Sequence, residues 1–124
     1  MGKPVVLVVE DEAIIRMETV QMVKDAGYAV LEASSIDAAL TILEDGHDIR
    51  AVFTEIRVPG QLNGIDLARS VAERWPLVRL LVTSSGSKVD NFPADWCYIP
   101  KPYDGAQLAN ALHALIVPHL TVVR

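Results

Sequence analysis

The sequence predicts an α/β domain built around a parallel β-sheet. Short, almost purely apolar runs such as Val5–Val9 alternate with longer stretches in which apolar residues recur at helical spacing. Such runs are typical of strands that are buried on both faces, which in parallel sheets are covered by helices. With 124 residues and 51% hydrophobic content, the chain can bury a core of its own as one domain.

The first half of the chain contains two strand–helix units. The first strand precedes a helical stretch that ends at Gly27, because glycine is favoured just after helix C-termini. Residues 28–33 form the second predicted strand. We then predict that Ser34 and Asp37 form a capping box at the start of the second helix, which ends at Gly46.

The second half continues the alternation but weakens in its fourth unit. Asn63 can cap the third helix, and Pro118 is expected to end the last one. Residues 84–93 are rich in helix-breaking residues, so the helix of the fourth unit should be short or absent. The remaining strands are predicted at residues 51–55, 79–83 and 96–99, and the remaining helices at residues 65–74 and up to 118.

Five such units with right-handed crossovers fit a flavodoxin-like three-layer sandwich with strand order 2-1-3-4-5. In that order the first and third strands flank the switch point, where a ligand is expected outside their carboxyl ends. Glu10 and Asp11 follow the first strand and Glu55 ends the third, so these carboxylates should face each other. Converging like charges need a cation or a proton, and hard oxygen ligands suit Mg²⁺.

Two further strand ends complete the predicted constellation. Thr83 ends the fourth strand with a hydroxyl, and Lys101 follows the fifth strand with a cation. Acids, a metal, a hydroxyl and a lysine in one crevice suit phosphoryl transfer, in which the protein positions the phosphoryl group and neutralises its charge. Glu55 would stand at the position of a carboxylate nucleophile.

The segments around these strand ends resemble one protein family. They are Val-Val-Glu-Asp-Glu at residues 8–12, Thr-Glu-Ile-Arg-Val-Pro at 54–59, Leu-Val-Thr-Ser at 81–84 and Pro-Lys-Pro-Tyr at 100–103. Together, and in this order, they are similar to the receiver (CheY-like) domain of bacterial two-component response regulators. The resemblance covers essentially the whole chain.

The resemblance implies a set of functional positions. Mg²⁺ would bind the acidic pair, and the switch would combine a hydroxyl with an aromatic residue on the fifth strand. The phosphoryl donor would be a sensor histidine kinase or a phosphotransfer protein, and the Lys101–Pro102 bond would be cis. The matching positions are the metal-binding Glu10 and Asp11, the acceptor Glu55, the backbone carbonyl of Arg57, the hydroxyl of Thr83, the phosphate-binding Lys101 and the aromatic switch Tyr98.

Position 55 departs from the family, whose acceptor is aspartate. The extra methylene of Glu55 moves the carboxylate along the crevice, where a shift of about 1 Å can cost roughly 10²-fold in rate. Two interpretations follow: Glu55 accepts or mimics a phosphoryl group, or it fixes one conformation of a pseudo-receiver that works by contact alone. A Mg²⁺-dependent phosphatase is disfavoured, because Arg57 stands where a general-acid carboxylate would be needed. The sequence thus predicts a signalling domain rather than an enzyme.

Composition excludes several other classes. Eleven basic and 16 acidic residues give a net charge of −5, which disfavours direct nucleic-acid binding. The single Cys97 excludes an intrachain disulfide, and no leader or long apolar segment indicates export or a membrane span, so we expect a cytoplasmic protein. We assign residues 1–118 to the receiver domain and 119–124 to a tail, expect a single-domain regulator without an output domain, and consider a homodimer compatible with the sequence.

Overall fold

Strands and helices alternate from the start of the chain to the fourth strand, as predicted. The computed structural model describes residues 2–56, 63–84 and 96–120, with side chains only as far as residue 118. The elements are β1 (Val5–Val9), α1 (Ala13–Asp25), β2 (Ala29–Ala33), α2 (Ile36–Glu44), β3 (Ile49–Glu55), α3 (Gly64–Arg74), β4 (Arg79–Ser84), β5 (Cys97–Pro100) and α4 (Gly105–Leu120).

The sheet has five strands in the order β2-β1-β3-β4-β5, and every neighbouring pair is parallel. This confirms the predicted flavodoxin-like order. The register places Val9 beside Thr54, and Glu55 beside Thr83. The carboxyl ends of β1, β3 and β4 therefore meet at one edge of the sheet, where the order of the strands reverses.

Side chains along each strand alternate between two apolar cores, one on each face of the sheet. In β1, Leu7 and Val9 belong to the core that α2 and α3 cover, whereas Val6 and Val8 belong to the core under α1 and α4. All four valine and leucine side chains are at most 1% exposed. The sheet is thus buried on both faces, as its nearly continuous apolar strands predict.

The helix ends agree with the sequence in part. Gly27 and Gly46 adopt positive φ angles of 105° and 83° after α1 and α2, which confirms them as helix stops. The predicted capping box at Ser34 is wrong by one residue, because the N-cap of α2 is Ser35. Ser35 has an extended backbone, and its Oγ accepts a hydrogen bond from the Ala38 N–H at 3.1 Å.

The last helix extends past its predicted end. Helix α4 includes Pro118 and ends at Leu120, so proline does not stop it where the sequence suggested. The cap assigned to Asn63 is confirmed, since its side chain accepts from the Asp66 N–H at 2.9 Å. The prediction of a short or absent helix in the fourth unit falls on residues 85–95, which lie outside the described residues. Among the helices described, none is both long and apolar enough to cross a membrane.

Candidate functional site

Four of the residues predicted to carry chemistry continue the strand alternation that faces α1 and α4. The backbone N–H of Glu10 donates to Ala33 at 3.0 Å, and that of Lys101 donates to Ser84 at 3.3 Å, so both strands keep their pairing one residue further. Each polar residue stands two positions after a core residue of that face, in the pairs Val8 and Glu10, Phe53 and Glu55, Leu81 and Thr83, and Ile99 and Lys101.

Lys101 joins the two buried glutamates. Its Nζ donates a hydrogen bond to Oε2 of Glu55 and lies 3.7 Å from Oε1 of Glu10. The Glu10 and Glu55 side chains are each 7% exposed, and that of Lys101 is 20% exposed. Because these charges are largely removed from water, their mutual attraction is screened far less than that of a surface pair.

The pKa values of the site reflect this burial. Burial raises the pKa of the Glu10 carboxyl, and the neighbouring Asp11 and Glu55 add to the rise, whereas the Glu12 N–H and Lys101 oppose it. Burial alone would lower the pKa of Lys101. The hydrogen bond and charge of Glu55, with the charge of Glu10, outweigh that effect and raise it.

Two buried polar atoms at the centre of the site have no hydrogen-bond partner among the residues that the structure describes. They are Oε1 of Glu55 and Oγ1 of Thr83. Both residues line a cavity of about 10 Å³ together with Glu10, which is close to the space that one water molecule requires. Buried polar atoms are normally satisfied, so this pair marks a place suited to a polar guest.

The predicted metal ligands are brought together only in part. Glu10 and Glu55 meet at Lys101, and Asp11 lies close enough to affect the pKa of Glu10. Arg57, whose carbonyl is the remaining predicted ligand, is outside the described residues. Within the described part of the chain, no three histidine, cysteine, aspartate or glutamate side chains are grouped so that they could hold a metal ion.

Comparison with known proteins decides the family. Residues 6–113 match the family model described as the response regulator receiver domain. The chain belongs to the response regulator receiver family. A receiver protein from Sinorhizobium medicae WSM419 has a solved structure that is 29% identical, with a TM-score of 0.86, and the match covers 93% of this chain and 95% of that one.

Curated relatives of this receiver domain are larger proteins. The sensor kinase CckA of Brucella abortus is 31% identical over 93% of this chain, and the aerobic respiration control protein ArcA of Escherichia coli K12 is 33% identical over 87% of it. The receiver domain spans 13% of the first relative and 46% of the second. It therefore covers less than half the length of either relative.

The remaining predicted site residue of the receiver, Tyr98, lies on the other face of β5. It pairs in register with Val82 and packs against the core under α2 and α3. Its hydroxyl lies 3.1 Å from Oγ of Ser84. The structure therefore places Tyr98 beside the strand end that carries Thr83, but on the opposite side of the sheet. The predicted cis bond between Lys101 and Pro102 is present.

Three residues that support the receiver site were not assigned a role from the sequence. Arg16 donates to the Glu10 carbonyl at 2.9 Å and to the Glu32 carboxylate at 3.0 Å. Thr19 and Tyr103 share a hydrogen bond of 3.0 Å between their hydroxyls. The sequence feature that could have indicated Arg16 and Thr19 is their spacing of three residues on α1, which places both on one face of that helix.

Gly64 fixes the position of α3 against the site. Its N–H donates to the Ile56 carbonyl at 2.7 Å. A Cβ on this residue would lie 2.4 Å from the Glu55 carbonyl oxygen and 2.6 Å from Cα of Ile56. The first turn of α3 therefore rests directly on the backbone that carries Glu55, at a distance that only glycine permits.

Proposed function

We propose that the chain is a phosphorelay receiver in which position 55 accepts or mimics a phosphoryl group and the signal leaves by protein contact. The observation that supports this best is the hydrogen bond from Lys101 to Glu55 in the crevice that also holds Glu10 and Thr83. Such a set neutralises and orients the oxygens of a phosphoryl group.

The roles of the residues follow from their partners. Glu55 would be the acceptor position, and Lys101 would transfer its hydrogen bond from the carboxylate to a phosphoryl oxygen. The buried hydroxyl of Thr83 has no partner within residues 2–56, 63–84 and 96–118, and it would donate to another of these oxygens. Tyr98, beside Ser84 on the same strand edge, would report the change as the aromatic switch.

Mg²⁺ would be held by Glu10, Asp11, Glu55 and the Arg57 carbonyl. The chemistry of these donors suits Mg²⁺, which takes one or two carboxylates and keeps several waters. Oε1 of Glu55, which no described residue hydrogen-bonds, is compatible with a ligand role. When bound, the ion would neutralise charge on the phosphoryl oxygens. Lys101 already supplies positive charge to Glu10 and Glu55, so we expect weak affinity.

The donor would be a sensor histidine kinase or a phosphotransfer protein of the cytoplasm. Ile14 and Met17 of α1 are 73% and 68% exposed, and they lie on the helix that covers the crevice face. They give such a partner an apolar contact next to its target. This part of the proposal depends on phosphoryl transfer and is lost if the chain proves unable to take a phosphoryl group.

One observation favours the second candidate, a phosphorylation-independent pseudo-receiver. The cavity beside Glu55 and Thr83 measures only about 10 Å³, which suits a water molecule and is too small for a phosphoryl group. Lys101 is also engaged already by Glu55. In this candidate the ion pair fixes one conformation, and partners recognise that conformation without any covalent change.

Acetyl phosphate with Mg²⁺ separates the two candidates. The parent, Glu55→Asp and Glu55→Gln are each incubated with it, and intact mass and peptide mapping locate any added phosphoryl group. We expect Glu55→Asp to be modified at position 55, because its shorter side chain leaves room for the phosphoryl group, and Glu55→Gln to remain unmodified. Modification of the parent at Glu55 would refute the pseudo-receiver. If Glu55→Asp also remains unmodified, the crevice itself is incompetent and the phosphorelay proposal fails.

A further inference from the structure

A separate cavity lies at the amino edge of the sheet, away from the Glu55 crevice. It measures about 110 Å³ and lies between the end of α3, the loop that follows this helix and the starts of β4 and β5. Arg79 begins β4, four residues before Thr83, so the two ends of this strand are about 13 Å apart. The cavity is lined by Ala72, Pro76, Val78, Arg79, Leu80 and Trp96.

Arg79 is the charged residue in this lining. Its Nε is buried, and no described residue accepts a hydrogen bond from it. Within the described part of the chain, the ion pairs of arginine and lysine involve Arg16, Arg50, Arg74 and Lys101, but not Arg79. Buried polar atoms are normally satisfied, and a buried arginine is normally paired. The cavity therefore offers a donor that an acceptor from outside the chain can use.

The size and the walls of the cavity indicate the class of acceptor. A cavity of roughly 150 Å³ can hold benzene, so the space beside Arg79 has room for about four or five non-hydrogen atoms. The guanidinium fork matches the planar geometry of a carboxylate. The other lining side chains are aliphatic, apart from the indole of Trp96. They would contact a short alkyl group well, but would leave most oxygens of a phosphate without donors.

We propose that this cavity is a binding site for a short-chain monocarboxylate such as acetate or propionate. The carboxylate pairs with the Arg79 guanidinium, and the alkyl group packs against Val78 and Leu80. The site lies at the opposite edge of the sheet from Glu55, so it goes beyond the proposed receiver chemistry and does not depend on it.

Trp96 reports the occupancy of the cavity directly. It lines the cavity and is 8% exposed. The chain has two tryptophans, and Trp75→Phe identifies which indole N–H signal in the NMR spectrum of the parent belongs to Trp96. Sodium propionate is titrated into the parent at constant ionic strength against sodium chloride. We expect a saturable shift of the Trp96 signal with propionate and with acetate. Propionamide has nearly the same shape without the charge, and should give no saturable shift.

Two arginine variants test the anchor. Arg79→Met should weaken propionate binding by about tenfold or more, because hydrogen bonds to charged groups contribute that much. Arg50→Met is the matched control, since Arg50 lies on β3 one residue before the register partner of Arg79 and pairs with Asp48 at 3.4 Å. It removes the same charge from the same edge of the sheet and should change the affinity far less. Equal weakening by both variants would show a general attraction to positive charge and would overturn the site.

The parent alone is sufficient to refute the proposal. Absence of a saturable Trp96 shift with propionate and acetate, or an equal response to propionamide, would overturn it, whether or not Arg79→Met folds. Asp95 precedes Trp96 in the sequence. Binding that is absent in the parent and present in Asp95→Asn would show that the chain's own acid takes the place of the ligand, and would also overturn the proposal. Since the titration contains no phosphoryl donor, its failure is distinguishable from a failure of the acetyl phosphate experiment.

Discussion

Two ion pairs of this receiver join the same kinds of groups in opposite surroundings. Lys101 contacts Glu55 in the crevice, where the two side chains are 20% and 7% exposed. Arg74 lies 3.0 Å from Glu44 between α3 and α2, where the side chains are 49% and 51% exposed. Water screens the exposed Arg74–Glu44 pair, whereas the largely buried Lys101–Glu55 pair is screened much less. Burial, rather than the number of ion pairs, should therefore decide which charges matter for stability.

Removing the cation from each pair should give the largest difference in the free energy of unfolding. Lys101→Met leaves Glu10 and Glu55 buried without their shared cation, and we expect it to lower the free energy of unfolding at pH 7 by about 2–4 kcal/mol. Arg74→Met should cost less than about 1 kcal/mol. Urea unfolding of both variants beside the parent, without divalent cations, measures the difference.

The pH dependence of this contrast has a definite sign. The pKa of Lys101 is raised in the folded state, so its stabilisation is fully present below the unfolded value of 10.5 and is lost as pH rises through the folded pKa. The parent should therefore lose stability above about pH 10.5, and Lys101→Met should lack that loss. Equal costs for Lys101→Met and Arg74→Met at pH 7 would contradict the comparison.

Two glycines at helix starts extend the comparison from charge to packing. A Cβ at Gly64 would meet the backbone of Glu55 and Ile56 at 2.4–2.6 Å, whereas a Cβ at Gly105 would meet Cγ of Met22 at 3.8 Å. Gly64→Ala should therefore lower the free energy of unfolding by about 1–3 kcal/mol, and Gly105→Ala should be neutral or stabilising. Thermal unfolding of the two variants provides the test, and equal behaviour would mean that α3 can shift away from β3 at no cost.

The fold was predictable because its signals are local and repeated. Apolar runs, glycine stops and crossover rules were sufficient for the strand order, and the strand ends indicated which residues meet. The helix start at Ser35 was missed because Ser34 and Ser35 are both good caps, and only backbone geometry selects one. Helix α4 was predicted to end at Pro118 but continues to Leu120.

The fine structure of the crevice was less predictable. Strand alternation puts Glu10, Glu55, Thr83 and Lys101 on one face, and this could have been counted from the sequence. The Thr19–Tyr103 bond joins residues 84 positions apart and depends on how α1 and α4 pack on the sheet. No local pattern encodes such a contact, because it is set by the tertiary packing of both segments.

Glu10→Gln should change the free energy of unfolding least, and it should raise it, whereas Lys101→Met and Gly64→Ala lower it. Burial and the neighbouring acids raise the pKa of Glu10 above its usual 4.5, so the folded state favours the protonated form more than the unfolded chain does. The stability linked to this group is fully present below pH 4.5 and is lost as pH rises through the folded pKa. A neutral glutamine, which can still accept from the Glu12 N–H, should therefore raise the free energy of unfolding at pH 7 and change it little at pH 4.

Urea unfolding at both pH values without divalent cations measures this, with Glu44→Gln as the exposed control, which should lack the gain. Lower stability of Glu10→Gln at pH 7 would show that the attraction of Glu10 to Lys101, 3.7 Å away, outweighs the cost of burying its charge.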